Sequence, residues 1–215
     1  MYISLDGAEV SLKDEWLPKQ KRSREKLERI INAAFTVTSR VGFDSVTLAD
    51  IAREADVGIS TVYTRFKSKG ALLEELHVII TEKTINTLDD YFAIYTDDEV
   101  PLREIVREII EDSLKMTRAL SGFYQATYQQ SITNAAFADR EKKIRLKVIR
   151  TLKKVFMLRK DEIGHPKPAS AVEVFATMYI GVITDRVMTK NFSGLTDKKL
   201  AKELTTACEL YLSLK

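Results

Sequence analysis

The chain has 215 residues, a single cysteine, and 34 basic against 31 acidic side chains, for a formal net charge of +3. That length can bury a core in one large or two small domains, and one cysteine excludes a disulfide framework, so a reducing cytoplasm is the expected compartment. With 45% hydrophobic and 30% charged residues, the composition is that of a soluble globular protein and excludes an intrinsically disordered one.

Residues 1–18 carry four acidic residues and one basic residue, a local charge of −3, and Asp6, Glu9, Lys13, Asp14 and Glu15 interrupt any apolar signal core. The segment has no clear period. It reads as an arm, either disordered or with a short helix docking through Trp16. Beyond it, alternating β-branched runs are missing, and apolar residues recur at helical spacing through most of the chain.

The charge balance changes over 19–70, where eleven basic residues face six acidic ones, leaving only +1 for 71–215. A basic excess this local points to a polyanion contact confined to one end. The run Lys19-Gln20-Lys21-Arg22-Ser23-Arg24 reads as an arm before the first helix, with Lys21 and Arg22 tracking phosphates or entering a minor groove; a solvated linker is the alternative. A helix follows over 24–41, with Leu27, Ile30, Ile31, Ala34, Phe35, Thr38 and Val41 on one face and Gly42 as its stop. Thr47-Leu48-Ala49-Asp50 has the form of a capping box and opens a short helix through Ile51, Ala52 and Ala55. Asp56 occupies a tight turn, and Val57-Gly58-Ile59 leads into a second short helix, Ser60 to Phe66. Ser68-Lys69-Gly70 opens a long helix through Leu72, Leu73, Leu76, Ile79 and Ile80.

Two short helices across a turn of three to four residues form a helix-turn-helix. Ile51, Ala55, Val57, Val62 and Phe66 are apolar where the two helices meet, and Ala52 is small where their backbones come close. The turn needs a residue tolerant of the left-handed conformation, which Asp56 is. The segment TLADIAREADVGISTVYTRFKSKGALL, Thr47 to Leu73, with the helix before it, resembles the DNA-binding signature of the tetracycline-repressor (TetR) family of bacterial transcription regulators. The resemblance covers about fifty residues. It departs from the family at Asp56, where glycine is usual, at Gly58 and Ile59, where more polar residues are usual, and at Arg65, where His is most common.

The resemblance implies phosphate contacts by Thr47, Tyr63 and Lys69. Helix-terminus amides at Thr47, the Tyr63 hydroxyl and the Lys69 charge all suit that role. The helix 60–66 is the expected recognition helix, with Ile59, Ser60, Thr61, Thr64 and Arg65 as base-reading candidates. Arg65 suits either a guanine edge or a phosphate; Ile59 suits a thymine methyl or the turn itself.

Pro101 opens a predicted helix through Ile105, Ile109 and Leu114. The uncharged stretch 119–138 mixes aromatic and amide side chains and is too polar to insert in a membrane. Apolar walls with a few orienting polar groups suit a small-molecule pocket, and the family places its effector pocket in this domain. The pocket candidates are Phe123, Tyr124, Tyr128, Gln129 and Phe137, with Met116, Met178 and Tyr179 as weaker ones; core packing is the alternative for all of them. The basic stretch 140–160 carries an apolar stripe (Ile144, Val148, Leu152, Val155, Phe156) and reads as a solvated helix face. Two last helices span about 168–190 and 196–214, broken at 191–194. Val172, Phe175, Ala176, Tyr179, Ile180 and Ile183 share one face of the first, and Leu200, Leu204, Ala207, Cys208 and Tyr211 one face of the second. In the family such a pair meets its twin in a four-helix bundle.

The expected fold is all-α. It has an N-terminal arm (1–18), a three-helix helix-turn-helix DNA-binding domain (19–70) and a helical effector-binding and dimerisation domain (71–215). The expected function is that of a homodimeric repressor released from a palindromic double-stranded DNA operator by a small-molecule effector, with no cofactor, metal or membrane partner. The alternatives are a regulator or activator answering to a protein or to nothing, and an all-helical enzyme or scaffold with an incidental helix-turn-helix. Enzyme motifs are missing, and His77 and His165 lie far apart with no carboxylate cluster in the sequence.

Overall fold

A computed structural model of the chain describes residues 2–5, 8–11, 21–95, 100–189 and 194–215, the first two segments as backbone only. The helices dominate, as expected. Two short strands, β1 (Tyr2–Leu5) and β2 (Ala8–Ser11), pair antiparallel with Tyr2 opposite Ser11 and Leu5 opposite Ala8. The reading of residues 1–18 as an arm, disordered or with a short helix, does not include these strands. The dipeptide Asp6-Gly7 between the two runs is a hairpin signal that the sequence reading does not use. Trp16, Lys19 and Gln20 lie outside the described residues.

Nine α-helices follow among the described residues: α1 (Lys21–Val41), α2 (Leu48–Glu54), α3 (Ile59–Arg65), α4 (Lys69–Ala93), α5 (Leu102–Ala119), α6 (Ser121–Thr133), α7 (Ala135–Leu158), α8 (Pro168–Met188) and α9 (Asp197–Leu212). They belong to two compact units, 1–84 with 119–141 and 85–118 with 142–215. The sequence reading closed the DNA-binding block at Gly70. The first unit instead includes the start of α4, all of α6 and the start of α7.

In the first unit, α1 begins at Lys21, three residues before the expected start, so Lys21, Arg22, Ser23 and Arg24 form its first turn rather than a preceding arm. Leu27, Ile30, Ile31, Ala34, Phe35 and Thr38 are buried as the periodicity requires. Val41 is not. It is about half exposed and lines an open groove of about 360 Å³ with Val37, Arg40, Ser45, Asp50, Arg53 and Glu54. Gly42 ends the helix at φ 81°, a conformation open to glycine at little cost. One core joins α1 to the helix-turn-helix and to α6, with Phe35 and Phe123 edge-on at 5.3 Å.

The α6 contact depends on one glycine. A Cβ on Gly122 would lie 2.5 Å from the Thr38 carbonyl oxygen and 3.1 Å from the Gly42 Cα. Nothing larger than hydrogen fits between the α6 backbone and the end of α1. At its far end, Asn134 breaks the uncharged stretch. Its backbone turns extended after α6, and its side-chain oxygen accepts from the Ala136 N–H at 3.0 Å at the start of α7.

In the second unit, Leu102 opens α5 directly after Pro101, and its N–H donates to the Glu162 carboxylate at 2.8 Å. Phe156 and Phe175 stack at 5.1 Å within a core that includes Leu102, Ile105, Ile109, Val172, Ala176 and Leu204. Cys208 is fully buried there, and desolvation pushes its thiol up to about 12, so it packs as a small hydrophobe. Thr196 caps α9 by accepting from the Lys199 N–H at 3.2 Å. Ala207, expected on the buried face of α9, is exposed, and Tyr211 is half-buried.

Candidate nucleic-acid interface

The α2–turn–α3 unit forms from local instructions. Thr47 caps α2 through a reciprocal box: its hydroxyl oxygen accepts from the Asp50 N–H at 3.1 Å, and its own N–H donates to the Asp50 carboxylate at 3.1 Å. The Thr47 hydroxyl also donates to that carboxylate at 2.7 Å. These bonds hold the Asp50 carboxyl below its usual range, with Arg53 adding to the effect. The turn is closed by Asp56 at φ 50°, the left-handed conformation in which glycine is usual. Arg29 of α1 steadies it, donating to the Asp56 carbonyl at 3.3 Å.

Helix α3 is only seven residues long and is held by two anchors, Val62 and Phe66, both essentially inaccessible. The other side chains of the helix are accessible to different degrees: Ile59 is 46% and Tyr63 54% exposed, Ser60 and Thr64 are exposed, and Thr61 is half-buried. The Thr64 hydroxyl donates to the Ser60 carbonyl at 2.7 Å, one turn back along the helix. Of the expected base-reading residues, Ile59, Ser60, Thr64 and Arg65 are thus exposed and Thr61 is half-buried.

The two flanking cations are arranged differently from the expectation. Lys69 donates to the carbonyls of Phe43 at 3.1 Å and Asp44 at 2.9 Å, and its ammonium lies 5.0 Å from the Phe43 ring centroid. It ties the start of α4 to the turn after α1. Arg65 donates to the carboxylate of Glu75 in α4. Glu75 carries no motif signal in the sequence; only its place one helical stretch beyond Arg65 could have suggested the pair. Lys21 and Arg22 are exposed in the first turn of α1, a helix end without acidic residues.

The pocket candidates do not share one environment. Phe123 and Phe137 are packed in the core of the first unit, where Phe137 stacks on the buried His77 at 4.7 Å and Phe123 lies edge-on to it at 6.4 Å. Tyr124 is half-buried beside Phe123, while Tyr128 and Gln129 are exposed. In the second unit, Met116 and Met178 are exposed, and Tyr179 is buried with its hydroxyl sharing a hydrogen bond with Ser113. Burial pushes the Tyr179 hydroxyl up to about 12. Among the described residues no three His, Cys, Asp or Glu side chains are grouped to hold a metal ion, and no helix is long and apolar enough to cross a membrane.

A capped first helix, a left-handed turn and a short second helix with accessible polar side chains define a helix-turn-helix DNA-binding module in a helical chain. Residues 30–76 match the family model described as bacterial regulatory proteins, tetR family. That match covers α2, α3 and parts of α1 and α4, so this segment is similar to the DNA-binding domain of that family. The chain is 29% identical over 101 residues to the HTH-type transcriptional regulator AcrR of Shigella flexneri, a match covering 46% of each chain. It is 27% identical over 124 residues to an HTH-type transcriptional regulator of Staphylococcus aureus (strain USA300), covering 53% of this chain and 66% of that one. The match thus spans about half to two thirds of these curated relatives. Among solved structures, a TetR transcription regulator from Haloarcula marismortui superposes with a TM-score of 0.66 at 18% identity, covering 89% of this chain and 99% of the other. Salmonella enterica GusR superposes with a TM-score of 0.58 at 20% identity, covering 91% and 98%. At these identities the superpositions establish the shared fold.

Proposed function

We propose that this chain is a homodimeric DNA-binding transcription regulator, a repressor released from a palindromic operator by a small-molecule effector, and that it works in the cytoplasm. The observation that carries the reading is α3, where Ile59, Ser60, Tyr63 and Thr64 are exposed and Thr61 is half-buried over a core sealed by Val62 and Phe66. A helix of seven residues anchored this way offers its exposed side chains to a major groove, with its N-terminal residues leading. The amides at the start of α2 behind Thr47, the Tyr63 hydroxyl, and Lys21 with Arg22 supply phosphate contacts at the rim. Arg65 and Lys69 stand on the same rim with internal partners and contribute to its positive field.

Dimerisation follows from apolar side chains left outside the second unit's core. Val174, Met178 and Leu210 are exposed on α8 and α9, with the exposed Gly181 and Ala207 on the same two helices. Two such protomers place two recognition helices on two half-sites, as a twofold operator requires. An effector would act by binding one of two conformations better, shifting the spacing of the recognition helices. The packing of Phe123, Phe137 and Tyr179 into cores favours a second reading, in which the regulator answers to a protein or to nothing.

Retention of labelled duplexes from the region upstream of its own gene tests the proposal. Tight, sequence-selective binding that weakens steeply with salt is expected. Failure to retain any duplex at low salt overturns it.

A further inference from the structure

The C-terminal end of α3 carries a cation that the sequence assigns to the DNA surface, and a carboxylate already holds it. Arg65 Nη2 donates to Oε1 of Glu75. The two ends of the pair differ in depth: the Glu75 side chain is 19% exposed and the Arg65 side chain 40%. The guanidinium also lies over the ring of the buried Phe66, 5.6 Å from its centroid, so the cation has a second neighbour at the α3 anchor. Desolvation pushes the Glu75 carboxyl upward, and the charge and hydrogen bond of Arg65 pull it back. A fully exposed ion pair would give way to a phosphate at little cost. A pair with one end this deep does not, because withdrawing the cation leaves a carboxylate partly out of water with nothing to balance it.

We propose, resting on the reading of α3 as the recognition helix, that Glu75 is a positioning residue that holds Arg65 away from DNA. Readout then falls to Ile59, Ser60, Thr61, Tyr63 and Thr64, and each protomer makes one phosphate contact fewer than its sequence indicates. Glu75 touches no DNA in this scheme; it acts through Arg65.

The test measures binding of the full-length protein to a labelled mixed-sequence duplex of about 30 base pairs, across about 50–200 mM salt. Glu75→Gln keeps the shape of the side chain and removes its charge. It is expected to raise affinity several-fold at low salt and to steepen the slope of log K against log salt by about 0.9 per protomer, one added phosphate contact. In an Arg65→Gln background, Glu75→Gln is expected to move neither quantity, because the released cation is gone. A merely structural Glu75 would not steepen the slope. If Glu75→Gln melts differently from the wild type by circular dichroism, Glu75→Met makes the same comparison. An unchanged slope, weaker binding, or a gain that persists without Arg65 overturns the inference while leaving the recognition helix in place. A wild-type protein that binds no duplex at low salt overturns both.

Discussion

At the turn of the helix-turn-helix, a single residue is held in a conformation that side chains seldom adopt. Asp56 sits at φ 50° with its side chain in solvent, so neither packing nor burial selects aspartate there. Its short polar side chain tolerates the left-handed region better than most. Asp56→Ala is therefore expected to lower unfolding stability by about 1 kcal/mol, with Asp56→Gly costing less, as chemical denaturation would measure. Arg65 supports a second prediction. In Arg65→Gln the influences that lower the Glu75 carboxyl are gone and desolvation remains, so its pKa rises further above the ordinary value. A carboxyl raised in the folded state contributes stability below its unfolded pKa and loses it as pH rises through the folded one. The deficit of Arg65→Gln relative to wild type should thus widen as pH rises through and above the ordinary glutamate range in denaturation series at matched salt. The local features were readable in the sequence: the Thr47–Asp50 box and the demand placed on Asp56 both arise within a few residues. The partners of Arg65 and Lys69 were not, because Glu75 lies ten residues on and the carbonyls of Phe43 and Asp44 some twenty-five residues back, brought near only by tertiary packing.

Among the helices, two glycines with the same residue type have opposite meanings. Gly122 of α6 lies against the end of α1, where an added Cβ would meet the Thr38 carbonyl at 2.5 Å. Backbone cannot yield as a side-chain tip can, so Gly122→Ala should destabilise the protein by about 1–3 kcal/mol. Gly181 of α8 has open space around it within the chain. Gly181→Ala should stabilise the isolated protomer by about 0.5–1 kcal/mol through helix propensity alone. Thermal unfolding of the two variants side by side checks both signs, and equal shifts would remove the α1–α6 contact as the explanation. The helical period located α1, α4, α5, α8 and α9 because each carries an apolar face long enough to set a phase. It did not separate α6 from α7. That boundary rests on the turn at Asn134 within an uncharged run whose apolar and polar residues alternate without a helical stripe. The same lack of a stripe made Phe123 and Phe137 legible as apolar but not as core, a distinction that depends on the ring contacts with His77 from α4, edge-on for Phe123 and stacked for Phe137. His77 is itself fixed by neighbours remote in sequence: Arg140 donates to its Nδ1 at 3.1 Å, and Glu141 lies 3.0 Å from its Nε2.

For the molecule as a whole, the charge of +3 conceals a separation of −3, +5 and +1 along the chain, and the modest basic block bears on assembly. One short recognition helix with five exposed or half-exposed readers and few free cations cannot supply the affinity of a specific operator complex by itself. Joining two of them raises affinity through effective concentration, by about 10²–10⁴-fold, without any new contact to DNA. The faces available for that joining carry Val174, Met178 and Leu210, and Leu210 is 74% exposed, an unusual exposure for a leucine on a helix with a formed core behind it. In a twofold interface each substitution occurs twice and faces a copy of the same surface, so a charge placed there repels itself. The double variant Met178→Glu, Leu210→Glu is expected to elute with the mass of one 24.5 kDa chain where the wild type shows twice that mass, measured by light scattering. Its helix content should be unchanged, because neither side chain belongs to the protomer core. Its affinity for an operator duplex should fall by about 10²-fold or more, and its salt slope should halve, since half of the phosphate contacts depart with the second protomer. A variant that remains double in mass would move the interface to another face. A monomer that still binds the operator at wild-type affinity would instead show that one protomer suffices, and the palindromic operator would lose its physical basis.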